Sequence, residues 1–211
     1  MSGLMVYLTG PGRHNEHAEP HLVGGDGALM TWYGDNELSR DAALAIARHL
    51  DRPRTAFGVE VRTGVYERRK VGRGPDGRVR YDKVRTGSRA AHVWHCSLSL
   101  RADEGALSDE KWGAIAEDFV SAMGFDDNEG SKAPCRWAAV HHGASTEGND
   151  HIHLVVNLVR EDGTKASTHL DYQRAQTAAR ALEVVHGLER LEASASAEPG
   201  ARRGFTPAEQ A

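Results

Sequence analysis

Val140-His141-His142, the polar loop 143–150 and the run His151-Ile152-His153-Leu154-Val155-Val156-Asn157-Leu158 form the stretch that decides how this chain folds. A strand turns successive side chains to opposite faces. His151 and His153 therefore share one face, and Ile152, Leu154, Val156 and Leu158 share the other, the expected core face. Arg136-Trp-Ala-Ala-Val-His-His142 reads as the preceding strand. The loop between the two is rich in turn formers, so a hairpin is predicted. If Ala138 and Val140 join Ile152 and Leu154 in the core, His141 lies on the face of His151 and His153, and His142 points away or sits at the loop edge. This reading assigns His141, His151 and His153 as metal ligands. Neutral imidazoles suit Zn, Mn, Ni or Co, and three of them leave positions open for substrate oxygens, where a divalent ion polarises a phosphate. A His-x-His pair alone is more often incidental. The clean apolar alternation and the nearby third histidine favour a metal site.

At 211 residues the chain is long enough for one well-buried domain and little more. Its 39% hydrophobic and 27% charged residues are ordinary for a folded globular protein, which excludes a wholly disordered chain. No apolar run approaches the roughly 20 residues of a membrane span. No charged-then-apolar leader is visible, so a cytoplasmic protein without membrane insertion is expected. Two cysteines, Cys96 and Cys135, exclude a disulfide framework and a cysteine-rich zinc site. The net charge of -4 hides an asymmetry. Between Arg62 and Arg89 stand ten basic residues and only three acidic ones, Glu67, Asp76 and Asp82. Clustered basic charge is the footprint of phosphate binding, although such a run is often only a solvated loop. Tyr66 and Tyr81 are interleaved and offer stacking surfaces for unpaired bases. Gly74-Pro75-Asp76-Gly77 reads as a turn, so a projecting basic hairpin is predicted. Its candidate DNA contacts are Arg68, Arg69, Lys70, Arg73, Arg78, Arg80, Lys83 and Arg85, with Arg13 from an earlier segment.

Leu4 to Leu8 is apolar enough for a strand or a helix and ends at Thr9-Gly-Pro-Gly12. Residues 13–36 have loop character. Ser39 is a candidate cap for a helix carrying Ala43, Leu44, Ile46, Ala47 and Leu50, stopped by Asp51-Arg-Pro53. Ala91 to Leu100 reads as a strand with Trp94, Cys96, Leu98 and Leu100 inward and Val93, His95, Ser97 and Ser99 on the other face. Ser108 starts an amphipathic helix with Trp112, Ile115, Phe119 and Met123 in one stripe and Gly124 as its stop. A last helix runs from about Asp171 to His186, with Ala175, Ala179, Leu182 and Val185 inward. From Ala193 the composition shifts to Ala, Ser, Glu, Pro and Gly, so residues 193–211 are expected to form a disordered tail or linker after a domain at 1–192. The order of elements predicts an α+β fold with a central antiparallel sheet flanked by helices.

With these residues in view, the histidine strand resembles the metal motif of conjugative and mobilisation relaxases of the MobA-like family, within the His-hydrophobe-His endonuclease superfamily. Val6-Tyr7-Leu8-Thr9 is similar to the family's first motif, which holds a nucleophilic tyrosine. His95-Cys96-Ser97-Leu98-Ser99-Leu100-Arg101 is similar to the second, a strand ending in a serine. Leu170-Asp-Tyr-Gln-Arg174 and its helix fit the usual sequel. The likeness covers about residues 4–190. It departs at Gly143, where an acidic residue is common; Glu147 is a candidate replacement. The chain begins almost at the first motif, which suggests an excised relaxase domain.

The resemblance implies a ferredoxin-like relaxase fold and a site- and strand-specific nickase acting on single-stranded DNA at a plasmid transfer origin. Tyr7 would attack the scissile phosphodiester, leaving a 5′-phosphotyrosyl link that can later be religated. The cofactor would be a divalent ion, Mn or Mg first, with Zn, Ni or Co as alternatives. Relaxosome accessory proteins and a coupling protein are the implied partners. Glu147, Glu16 or a histidine would serve as base, with Ser99 and Asn157 orienting a ligand or phosphate. Some relatives use a histidine nucleophile, which makes His17 or His21 the second choice within Arg13-His-Asn-Glu-His-Ala-Glu-Pro-His21. A rolling-circle replication initiator would instead use a tyrosine after the histidine motif, here Tyr172. A non-catalytic metal-containing DNA-binding module is the alternative outside enzymology.

Overall fold

The computed structural model describes residues 1–10, 19–34, 36–126, 130, 132–145 and 147–190. Four strands form the central sheet in the order β1 (His21–Gly25), β5 (Cys135–Ala144), β6 (Asp150–Arg160) and β4 (Val93–Ser99), with every neighbouring pair antiparallel. A long hairpin, β2 (Arg62–Arg73) and β3 (Val79–Ala90), forms a separate two-stranded sheet. Helices α1 (Ser2–Thr9) and α3 (Arg40–Leu50) supply the core on one face of the central sheet. Helices α5 (Asp109–Ala122) and α6 (Asp171–Val185) supply it on the other. The architecture is α+β, with helices on both sides of an antiparallel sheet, as expected.

Two cores sandwich the sheet. Trp112, Ile115 and Phe119 of α5 and Leu182 of α6 pack with Ala139, Ile152, Leu154 and Val156. Met5 and Leu8 of α1 and Ile46 and Leu50 of α3 pack with Ala138, Val140 and Val155. The middle strands are thus apolar on both faces, and β6 is buried along nearly its whole length. This double burial changes which side chains share a face, with consequences for the site.

Local chemistry sets the helix starts. Ser39 Oγ accepts the Ala42 N–H at 3.1 Å, and Ser108 Oγ accepts that of Lys111 at 3.3 Å. Asp109 and Glu110 sit in the first turn of α5, where acidic groups complement the helix dipole. After α5, Gly124 adopts φ +65°, a left-handed value suited to glycine.

Of the two readings open for Leu4–Leu8, the fold takes the helix, α1. Other sequence expectations differ from the fold. Residues 21–33, read as loop, form β1 and α2 (Gly27–Tyr33), because Asp26 Oδ1 caps the helix by accepting the N–H groups of Ala28 and Leu29, each at 3.2 Å. The stop expected at Asp51-Arg-Pro53 holds, since α3 ends at Leu50, but the same residues open a further helix: Pro53 lies in the first turn of α4 (Arg52–Phe57), where its missing N–H breaks no bond. Val185 is exposed rather than inward; Ala178 and Leu182 are the buried residues of α6. The tail 193–211 lies outside the described residues. Among those described, no helix is long and apolar enough to cross a membrane.

Candidate functional site

The register of β5 and β6 places Val140 opposite His153, Ala139 opposite Leu154 and His141 opposite Ile152. Directly opposed residues share a face. Ala138 and Val140 therefore belong with His153 and Val155, not with Ile152 and Leu154. The parity inferred from the sequence is reversed, because both faces of β5 are buried and apolarity could not tell them apart. His142, in phase with Val140, joins His151 and His153. Its ring stacks on His153 at 4.6 Å between centroids, with 8° between the planes, and meets His151 at 4.7 Å. The His151 and His153 rings are 5.1 Å apart, and one nitrogen from each of the three lies within 4.8 Å of the others. His141, expected as the third ligand, lies on the opposite face, where Nε2 donates to Asp150 Oδ1 at 2.7 Å.

The three imidazoles fit a divalent ion. His151 Nδ1 donates to the Asn149 carbonyl at 3.1 Å, so in the neutral ring the lone pair is on Nε2. A fourth histidine, not expected at the site, completes the group. His95 of β4 shares a 3.0 Å hydrogen bond between its Nε2 and His153 Nδ1, with the two rings stacked at 5.1 Å. Burial pushes the His95 imidazole down to about 4, so it is neutral at physiological pH and orients His153 without adding charge. The sequence did put His95 on the non-core side of its strand. Its partner needed the β4–β6 register, which pairs His95 with Val155.

The same register sets Ser99 directly across from His151, exposed, with its hydroxyl donating to its neighbour's carbonyl at Leu100. Glu147 is exposed on the β5–β6 connection, where its N–H donates to Ser145 Oγ. Asn157 is committed to the fold. It is fully buried, its amide donates to the Leu50 carbonyl and Asp51 Oδ1, and its oxygen accepts the Val159 N–H. It ties β6 to the α3–α4 junction and is not placed to orient a phosphate.

Tyr7 is 48% exposed on α1, the helix whose Met5 and Leu8 cover the sheet face that carries the histidine cluster. Tyr172 is also exposed, but it sits on α6, which packs on the other face. Arg13, Glu16 and His17 lie outside the described residues. His21 is described, and its place opposite His141 puts it on the far face from the cluster.

The basic hairpin is present and almost wholly exposed. Tyr66 faces Arg85, Arg68 faces Lys83 and Lys70 faces Tyr81. These six form one face with four cations, two tyrosines and no acid. Glu67, Arg69, Asp82 and Val84 fall on the other face. The Arg68 guanidinium stands 4.8 Å over the Tyr81 ring, a cation–π contact on the basic face. Arg78 follows the Gly74–Gly77 turn, whose Gly77 has φ +74°.

Residues 78–188 match the family model "Relaxase: MobA/VirD2-like, nuclease domain", a little over half of the chain. The chain belongs to this relaxase family. No curated protein and no solved structure matches it. The matched span contains His95, His142, His151 and His153, so the clustered histidines fall within the nuclease domain of a DNA-nicking relaxase. Tyr7 and β1 precede the matched span.

Proposed function

We propose that this relaxase domain nicks single-stranded transfer-origin DNA with Tyr7 as nucleophile and a divalent ion, Mn or Mg, held by His142, His151 and His153. The observation that carries the reading is the convergence of these three imidazoles on the sheet face covered by α1, with the Tyr7 phenol exposed on that helix.

In the reaction, the Tyr7 oxygen bonds to the scissile phosphorus and the P–O3′ bond breaks. The phenolic proton leaves as the new bond forms, and the departing 3′ oxygen is protonated. The product is a 5′-phosphotyrosyl link and a free 3′-hydroxyl. One phosphodiester replaces another, so the step is reversible and the strand can be resealed after transfer. A bound divalent ion supplies Lewis-acid stabilisation of the charge on the phosphoryl oxygens. His95 holds the His153 ring, and the Asn149 carbonyl holds His151. Ser99, across from His151 on the edge strand, would donate to a phosphate oxygen, a role its exposure supports. Arg68, Lys70, Lys83 and Arg85 on the basic face of the hairpin, with Arg69, Arg73, Arg78 and Arg80 around it, contact the DNA backbone. A cytoplasmic setting, with accessory proteins and a coupling protein as partners, follows from this role.

Incubation with single-stranded origin DNA and Mn²⁺ is expected to give a protein–DNA adduct that survives denaturation. Tyr7→Phe should abolish the adduct while DNA binding persists. Mass spectrometry of the trapped peptide names the attacking residue, and an adduct on any residue other than Tyr7 refutes this assignment. Binding with no adduct from the wild-type chain would favour a DNA-binding module.

A further inference from the structure

A second group of metal-competent side chains lies on the opposite face of the sheet, where β1, β5 and the start of α5 meet. His21 and His141 are opposed across the β1–β5 pair, with rings 5.3 Å apart and nearly perpendicular. Asp109, the first residue of α5, directs Oδ1 between them, 3.0 Å from His21 Nε2 and 3.3 Å from His141 Nδ1. A tetrahedral Zn²⁺ with bonds of about 2.0–2.1 Å separates its ligand atoms by about 3.3–3.4 Å. The two distances to Asp109 are close to that spacing, and all three ligand atoms lie within 4.8 Å of one another. Both imidazole nitrogens are buried, and the Asp109 carboxylate is the group that faces them.

The other nitrogen of each ring is anchored. His21 Nδ1 donates to the Glu19 carbonyl at 2.7 Å, and His141 Nε2 donates to Asp150 Oδ1 at 2.7 Å. In the neutral rings these bonds put the lone pairs on His21 Nε2 and His141 Nδ1, the two atoms aimed at the gap. Asp150 is fixed in turn by the Trp112 Nε1–H at 2.8 Å and the Leu107 N–H at 3.0 Å. A carboxylate behind a metal-binding histidine, itself held by two donors, is the usual outer support of such a site. Asp109 is 57% exposed, which gives an ion a way in and leaves a coordination position open to solvent.

We propose that His21, His141 and Asp109 form a second divalent-cation site, of the two-histidine, one-carboxylate class that suits Zn²⁺, separate from the His142–His151–His153 cluster. An ion there clamps the edge strand β1 and the start of α5 onto β5. It reaches the sheet from the side opposite to α1 and takes no part in contact with the scissile phosphate.

The test uses the full chain stripped of metal and titrated with Zn²⁺ alone, read by calorimetry and by metal analysis of the isolated protein. The wild type should bind two ions. The double variant His151→Ala/His153→Ala should bind one, His21→Gln should bind one, and all three changes together should bind none. One ion in the wild type that vanishes in the double variant overturns the second site. Two ions that remain two in His21→Gln also overturn it. One ion that survives in the double variant and is lost in His21→Gln supports this site and removes the cluster reading instead. Asp109→Asn, at an exposed position, replaces His21→Gln if circular dichroism shows that variant unfolded. Independently, Co²⁺ added to the double variant should give the visible bands of a four-coordinate ion, and Zn²⁺ should raise its Tm by roughly several degrees. Absence of both effects overturns the proposal.

Discussion

At the residue scale, two adjacent histidines have been sent to different sites. His142 stacks on His153, while His141 turns to Asp150 and Asp109. His142→Ala should therefore weaken metal binding at the cluster and reduce adduct formation by about 100-fold or more. His141→Ala should leave the origin-nicking rate within a few-fold of wild type at saturating Mn²⁺. A time course of adduct formation for the two variants checks this, and equal losses would mean that the faces are wrongly assigned. The sequence made the His151–His153 pair legible because strand alternation is strict. It could not choose the third member. That choice rested on which face of β5 is apolar, and Ala138, Ala139 and Val140 are all buried. His95 was equally illegible as a cluster member, since no local pattern states which strand lies beside β6. Asn157 next to a metal motif suggested ligand orientation, but its three partners are fold groups.

At the element scale, the β2–β3 hairpin was legible from its composition and its Gly-Pro-Asp-Gly turn. Its sidedness was not. Two register shifts, between Val65 and Tyr66 and between Lys70 and Gly72, interrupt the ladder, so alternation along one strand cannot be carried across the whole ribbon. Between those shifts the segregation is complete, with both acids on one face and both tyrosines on the other. If the tyrosine face tracks single-stranded DNA, Arg68→Ala/Lys83→Ala should reduce the slope of log K against log salt by about 1.4, two contacts at about 0.7 each. Arg69→Ala, the cation on the other face between those shifts, should lower the slope by less than half of what Arg68→Ala or Lys83→Ala alone removes. Fluorescence anisotropy with a labelled oligonucleotide at several salt concentrations measures both. An equal change of slope per charge removed from the two faces would show that the ribbon binds as a diffuse charge, without a face. Tyr81→Ala on the tyrosine face should weaken binding by about 1–3 kcal/mol with little change in slope, as a stacking contact would.

At the scale of the whole molecule, the helix-on-sheet order was readable from the caps at Ser39 and Ser108 and from the stripe Trp112, Ile115, Phe119. The existence of a second core was not. It depends on α1, which read equally well as a strand, and on β1 and α2, which lay in a segment that read as loop. The junction that joins this second layer to the sheet also sets an expected pH response. Asp51 lies between α3 and α4 and receives Arg54 through two bonds of 2.7 and 2.8 Å, with Asn157 Nδ2 at 3.2 Å and His92 at 3.7 Å. Burial opposes its charge, but the Arg54 hydrogen bonds and charge, together with His92 and the chain terminus, outweigh that and hold Asp51 below the usual carboxylate range. Burial, with the Arg54 charge, holds His92 below its ordinary 6.5, against the pull of Asp51. Both folded-state values are depressed, so both contributions are present above the unfolded values and are lost as pH falls. Stability of the metal-free chain should first decline below about pH 6.5 as the unfolded state takes up the His92 proton, and decline again below about pH 4 through Asp51. Urea titrations from pH 8 to pH 3 measure this. Asp51→Asn should cost about 1–3 kcal/mol at pH 7 and flatten the lower limb. His92→Gln should flatten the upper limb alone. A single unbroken decline that neither substitution alters would show that this junction does not govern how the α3 layer is held to the sheet.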